Sequence, residues 1–377
     1  MKILILTNYA STYGGNFIPS VDAFAKYSIA KGDSVGFALD IKADSRTWCR
    51  ELKKSYPIYF VKNKGLLKDA AELNRYIKEN AYDCVYSHFS YFNLACMLSL
   101  INPSLAFICH KHTDIGSELT FKRKVRISIK KNLIYRNMFI IFVSKRLQKL
   151  ELMENAKNSI WLPNALVTAR FDKWSRGKYR QETRISLGID AGAPVILMFG
   201  WHKYVKGVDI ALKAFSGLLS VRPDARLMIV TSLTEGKEGV RRFAKGIVDD
   251  AALEKVIFLP PSQEVEKYHA AADIFLSSSR SEGFSYSILE ALYLGERVVT
   301  SDLEGVRWSG KYKTVEFFPS ENSEKCAEKL NKSIEELNCK QEEITETSME
   351  VEQDYGIEEW AENVYKVVFE QWHKKRG

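Results

Sequence analysis

The chain has 377 residues, 46% of them hydrophobic and 27% charged. At about 150 residues per domain this length gives two globular domains, and the mix excludes disorder, collagen and coiled coil. The net charge of +8 is unevenly divided: residues 1–170 hold 26 Lys+Arg against 13 Asp+Glu, a net +13, and residues 171–377 hold 29 against 34, a net −5. A basic half joined to an acidic half predicts two domains with different partners.

The opening Met1-Lys2-Ile3-Leu4-Ile5-Leu6-Thr7 has an apolar run too short for a signal peptide and reads as a first strand. Further strands are expected at Ser34–Leu39, Ile58–Val61, Cys84–Ser87, Ala106–Cys109, Phe139–Val143 and Ile160–Leu162, with helical patterns between most of them. The segment from Cys84 to His110 carries no Asp, Glu, Lys or Arg, but its polar residues and Asn102-Pro103 make it strand, helix, turn and strand rather than a membrane span. A linker is expected near residues 165–180. The alternation then restarts with strands at Val195–Phe199, Arg226–Val230, Val256–Leu259, Ile274–Leu276 and Val298–Thr300, and ends in an amphipathic helix at Ile357–Trp372. Short apolar strands separated by helices predict parallel sheets covered on both faces, so the fold class is α/β with two doubly wound, Rossmann-like domains. Ligands of such folds bind at the carboxyl ends of the strands, which points to the cleft between the domains. The six cysteines form no C-x-x-C pair and read as reduced, mostly buried thiols of a cytoplasmic protein, not as a zinc site.

The most informative segment runs from Ser281-Glu282-Gly283-Phe284-Ser285-Tyr286 through Glu290 to Gly295, between two strands. A helix should start at Ser285 as N-cap and stop at Gly295. Its N-terminal N–H groups and dipole suit a phosphate, and two carboxylates, Glu282 and Glu290, could each accept hydrogen bonds from a sugar diol. The competing reading is a solvated helix glutamate and a loop glutamate.

This segment, continued by Arg297-Val298-Val299-Thr300-Ser301-Asp302, resembles the donor-site signature of retaining GT-B glycosyltransferases of family 4 (glycosyl transferases group 1). Other pieces match in order: Tyr13-Gly14-Gly15, Ser87-His88-Phe89-Ser90, Val143-Ser144, Leu162-Pro163-Asn164 with Phe171, and Phe199-Gly200 through Lys206-Gly207-Val208-Asp209. The resemblance implies a GT-B fold. It divides the chain into an acceptor-binding domain over 1–165, a nucleotide-sugar domain over 166–355 and a last helix over 356–377 that crosses back to the first domain. It implies that Glu290 binds the nucleotide ribose and that Glu282 contacts the donor sugar. Lys206 would neutralise the diphosphate with the backbone N–H groups of Phe284, Ser285 and Tyr286. Gly14 and Gly15 would let the backbone approach the phosphates, and Gly200 and Gly283 are further donor-binding positions. A strand-terminal histidine near the sugar is also implied; His110 directly follows its strand and is preferred, with His112 the other candidate. The implied chemistry is a front-face substitution with catalytic His110, Lys206 and Glu282, no metal and no cofactor beyond the UDP- or GDP-sugar substrate.

Two departures stand out. The family's usual arginine after the glycine matching Gly200 is Trp201 here, with Lys203 as a shifted substitute; and a glycine pair is replaced by Thr231-Ser232. Phe121 to Arg136 forms a basic stretch with Lys122, Arg123, Lys124, Arg126, Lys130 and Lys131 and no acid. It suits an anionic membrane surface or an acceptor carried on one, against the alternative of a solvated basic helix; no nucleic-acid reading motif accompanies it. The function expected is therefore hexosyl transfer from a nucleotide sugar to a glycan or lipid-linked glycan acceptor in polysaccharide, capsule or lipopolysaccharide synthesis, at the inner face of the cell membrane. A non-catalytic GT-B subunit that binds a partner glycosyltransferase competes with it. An NAD-dependent dehydrogenase shares the fold but needs a G-x-G-x-x-G that Tyr13-Gly14-Gly15-Asn16-Phe17 does not supply.

Overall fold

The computed structural model describes residues 1–112, 127–128, 135–171, 175–232, 236–337 and 341–376. The chain divides into two compact units: unit 1 is Met1–Val167 with Tyr355–Gly377, and unit 2 is Thr168–Asp354.

Unit 1 is built on seven strands: β1 (Lys2–Thr7), β2 (Ser34–Asp40), β3 (Ile58–Val61), β4 (Cys84–His88), β5 (Ala106–Lys111), β6 (Phe139–Phe142) and β7 (Ser159–Trp161). Their order is β3-β2-β1-β4-β5-β6-β7, and every pairing is parallel. The interior strands are apolar on both faces because helices cover both. One layer gathers Ile3, Ile5, Phe24, Phe37, Tyr86 and Ile108. The opposite layer gathers Leu4, Leu6, Leu73, Val85, Leu98 and Phe107. The first layer also takes Trp360, Ala361, Val364 and Val368 from the last helix, Ile357–Lys374, which packs on the helix Phe17–Ala30 with Tyr27 and Tyr365 edge to face. That helix is entered beside the end of unit 1's first part: Leu166 pairs with Gly356, and its N–H donates to the Tyr355 carbonyl at 2.8 Å.

Unit 2 has six strands: β8 (Val195–Phe199), β9 (Arg226–Val230), β10 (Val256–Leu259), β11 (Ile274–Ser277), β12 (Arg297–Ser301) and β13 (Val315–Phe318). The order β10-β9-β8-β11-β12-β13 is again all parallel. Its core joins Ile196, Met198, Phe215, Leu227, Ile229, Ile274 and Val299. The region expected as a linker is partly helical: Ser175–Ser186 belongs to unit 2, where Arg184 and Asp273 meet at 2.8 Å, both buried. Cys49, Cys84, Cys96, Cys109 and Cys326 are free and buried; Cys339 lies outside the described residues. No helix among the described residues is long and apolar enough to cross a membrane. The expected basic stretch, with Lys122, Arg123, Lys124, Arg126, Lys130 and Lys131, lies outside them as well.

Candidate active site

In each sheet the strand order reverses once, between β1 and β4 in unit 1 and between β8 and β11 in unit 2. Crevices outside the carboxyl ends of strands form at such reversals. In unit 2 the loops leaving β8 and β11 carry the residues singled out above, and close backbone packing locks them together. Gly207 has φ +63° and stands where a Cβ would come within 2.0 Å of the Ser278 carbonyl oxygen. The Ser278 hydroxyl donates across the same contact to the carbonyls of Lys206 (3.1 Å) and Gly207 (2.9 Å). Arg280 donates to both carboxylate oxygens of Asp209, at 2.9 and 2.8 Å, and to the Tyr204 carbonyl at 2.8 Å. The Arg280 hydrogen bond holds the Asp209 carboxyl below its usual range. From the other side Gly305, in the loop after β12, presses on the backbone of the Glu282 loop; a Cβ there would lie 1.9 Å from the Glu282 carbonyl oxygen.

These contacts bring Lys206 and Glu282 together. Lys206 Nζ donates to Glu282 Oε1 at 2.5 Å, and the Ser279 hydroxyl donates to the same oxygen at 2.8 Å. The two charged side chains are only 11% and 10% exposed. The expected phosphate cation and the expected sugar-binding carboxylate are thus one ion pair. Trp201 lies beneath it, with Lys206 Nζ 5.1 Å from its ring centre, a cation–π distance. Lys203, expected to stand in for the absent arginine, places its ammonium 5.3 Å from the Phe243 ring centre. Gly200 closes β8 where a Cβ would crowd Ile229 and Val208 at 2.9 Å.

Directly downstream, the helix Tyr286–Tyr293 begins at Ser285, whose backbone is extended and whose side chain does not cap it. Ser285 Oγ instead sits 3.1 Å from Ser287 Oγ, and the first turn holds no acidic residue. An uncapped N-terminus with no carboxylate of its own presents N–H groups and positive dipole to an anion. Phe284, after Gly283, stacks on Trp308 at 4.8 Å, which pins the helix entry. At the other end the N–H of Glu296 bonds the Ala291 carbonyl and that of Gly295 the Leu292 carbonyl, a Schellman stop with Gly295 at C′. Glu290, one turn in from the start of the helix and 7% exposed, has Arg170 Nη1 at 3.4 Å from its Oε1. Where the glycine pair is replaced, Thr231 is buried and its hydroxyl donates to the Leu259 carbonyl at 3.1 Å, so the substitution leaves no orphaned polar atom.

In unit 1, Gly14 and Gly15 lie in the loop after β1, with φ +56° at Gly15 and the Tyr9 hydroxyl donating to the Tyr13 carbonyl at 2.9 Å. The β4–β5 register sets His88 beside His110. His110, the preferred histidine, is fully buried: its Nδ1 is 2.7 Å from the Tyr86 hydroxyl and its ring stacks on Trp360. His112 keeps some exposure and shares a hydrogen bond with His88, Nε2 to Nδ1, at 3.0 Å. Burial pushes all three imidazoles down, His112 to about 3. Sequence reasoning missed Arg170, Gly305, Trp308 and the joining of the three histidines. Each is a long-range proximity with no local spacing to mark it.

Residues 179–348 match the family model described as Glycosyl transferases group 1. Over 125 residues the chain is 27% identical to the lipopolysaccharide core biosynthesis mannosyltransferase LpsB of Rhizobium meliloti (strain 1021), covering 33% of this chain and 36% of that protein. Over 197 residues it is 26% identical to spore coat protein SA of Bacillus subtilis (strain 168), covering 50% and 52%. The chain thus spans about a third to a half of the length of these relatives. A glycosyltransferase structure from Rickettsia africae ESF-5 superposes with a TM-score of 0.82 at 16% identity over 98% of both chains. Anabaena Alr3699/HepE in complex with UDP superposes with 0.79 at 18% identity, over 98% of this chain and 100% of that one. The fold is therefore GT-B, and within it residues 179–348 are similar in sequence to the glycosyl transferases group 1.

Proposed function

We propose that the protein is a retaining glycosyltransferase of family 4. It would move a hexose-type sugar from a UDP- or GDP-sugar to a glycan acceptor, free or lipid-linked, in cell-surface polysaccharide synthesis. The observation that carries this is the convergence, at the strand reversal of unit 2, of Lys206, Glu282 and an uncapped helix N-terminus, with Glu290 on the same helix.

A nucleoside diphosphate sugar fits these groups in order. The diphosphate takes the place of Glu282 as partner of Lys206 and bonds the backbone N–H groups of Phe284, Ser285 and Tyr286. Glu282, released, accepts from hydroxyls of the sugar, and Glu290, steadied by Arg170, accepts from the ribose. The acceptor hydroxyl oxygen bonds to the anomeric carbon as the bond from that carbon to the diphosphate oxygen breaks on the same face. The hydroxyl proton passes to the departing phosphate oxygen. Negative charge grows on the diphosphate, where Lys206 and the helix end already supply positive potential, so this step needs no metal there. Trp201, in place of the usual arginine, holds Lys206 by its ring face instead of adding a second charge.

Unit 1 takes the acceptor in this reading, and Gly14-Gly15, in the loop after β1, let its backbone approach the donor phosphates. The basic stretch at 122–131 attaches the protein to the cytoplasmic face of an anionic membrane, which liposome flotation tests; equal, negligible binding to anionic and neutral vesicles refutes it. The LpsB relative is a mannosyltransferase by name and the Anabaena structure contains UDP, so GDP-mannose and UDP-sugars are the donors to try first. Thermal stabilisation by one of UDP, GDP or ADP and its sugars, lost in Glu290→Gln, is expected, with the product anomer read by NMR. The absence of stabilisation by any of them removes the enzyme reading and leaves the alternative of a partner-binding subunit. An inverted product anomer removes the retaining mechanism.

A further inference from the structure

The three histidines at the ends of β4 and β5 belong to unit 1 and lie outside the donor chemistry just described. Among the described residues, the ligand-capable atoms of His88, His110 and His112 all lie within 4.8 Å of one another. The closest pair, His88 Nδ1 and His112 Nε2, is 3.0 Å apart. His88 and His110 are fully buried.

We infer that His88, His110 and His112 form a binding site for a divalent transition metal, zinc in the first place. Three imidazoles with no thiolate and no carboxylate are a borderline donor set, and three ligands leave a fourth position open. Zinc–nitrogen bonds of 2.0–2.1 Å in a tetrahedron place ligand atoms about 3.3 Å apart. The His88–His112 pair already has nearly that spacing, so closure asks for a short inward movement of the His110 ring. The Tyr86 hydroxyl on His110 Nδ1, at 2.7 Å, would fix the tautomer that leaves Nε2 for the ion, as partners of metal-bound imidazoles do. Bound there, the ion ties the carboxyl ends of β4 and β5 together beside the strand reversal of unit 1.

The test uses the full chain without a histidine tag, stripped by chelator and titrated with Zn²⁺ by calorimetry and with Co²⁺ by visible absorption. One equivalent of each is expected, with the intense visible bands of four-coordinate Co²⁺ and a rise in melting temperature. Conservative His88→Gln and His112→Gln variants, checked for native circular dichroism, should lose the site. Tyr86→Phe, which keeps all three ligands, should weaken it about 10- to 100-fold. Absence of saturable binding in the wild type overturns the inference, and so does binding that survives both glutamine variants. Neither result touches the donor reading, which is measured with nucleotides and no added metal.

Discussion

Replacing Gly305 by alanine is the sharpest test of how the Glu282 loop is held. The new Cβ would lie 1.9 Å from the Glu282 carbonyl oxygen, 2.7 Å from its carbonyl carbon and 2.9 Å from the Gly283 carbonyl oxygen. All three are backbone atoms, so no flexible side chain can swing aside. Reaching the 3.0 Å that real Cβ contacts respect requires the two loops to separate by about 1.1 Å. Forcing such a shift into a packed site costs about 1–3 kcal/mol. For a unit of this size that corresponds to a melting temperature lower by roughly 2–12 °C. The displaced loop carries the Glu282 backbone into the helix start at Ser285, and misplacement by about 1 Å is worth roughly 100-fold in activity. The assay is a thermal melt of the Gly305→Ala variant with and without donor nucleotide, followed by turnover. Gly192→Ala is the control, because a Cβ at Gly192 meets nothing within 4 Å. A Gly305→Ala protein that melts with the wild type and binds nucleotide unchanged would refute the packing argument.

Three further outcomes are expected. Lys206→Met should weaken nucleoside diphosphate binding about 10- to 150-fold, the worth of one charged hydrogen bond of about 1.5–3 kcal/mol, whereas Glu282→Gln should spare the bare diphosphate and cost only the affinity added by the sugar, both read by calorimetry. Arg170→Ala removes a partly exposed pair with Glu290 and should weaken the nucleotide only about 2- to 5-fold; a hundredfold loss would mean that Arg170 touches the ligand itself. Burial acts against charge on His269, but Glu296, at 2.5 Å and also buried, outweighs it and holds the imidazole above its usual value. A raised folded value contributes stability that is complete below the unfolded pKa of about 6.5 and is lost as pH rises through the folded one, so the melting temperature of unit 2 should fall as pH rises above about 6.5 and His269→Gln should flatten that slope.

Much of the fold was legible because parallel strands buried on both faces are written as short apolar runs. β1, β3, β8, β9 and β10 occupy the residues expected for them. β13 was not legible: it is an edge strand, Val315-Glu316-Phe317-Phe318, whose Glu316 pairs outward with Lys329 and Lys332 and breaks the apolar run. At the site, Lys206, Glu282 and Glu290 stood out by local context, strand end and helix start. Their mutual arrangement did not, since 76 residues separate Lys206 from Glu282 and only the β8–β11 adjacency joins them. Arg170 acts through a distant carboxylate and Gly305 against two distant carbonyls, and neither leaves a trace in its own neighbourhood.

The return of the last helix to unit 1 has a consequence for synthesis. Unit 2 is an insertion within unit 1: residues 168–354 are continuous, whereas unit 1 is assembled from two separated segments. Unit 1's core is missing Trp360, Val364 and Val368 until the helix Ile357–Lys374 has left the ribosome. The unit begun first is therefore finished last, and the inserted unit can close on its own while its host still waits for a wall. Truncation before Ile357 would open the core of the opposite end of the sequence, whereas residues 168–354, whose flanking residues Leu166 and Gly356 pair side by side, form the piece that can be cut out whole.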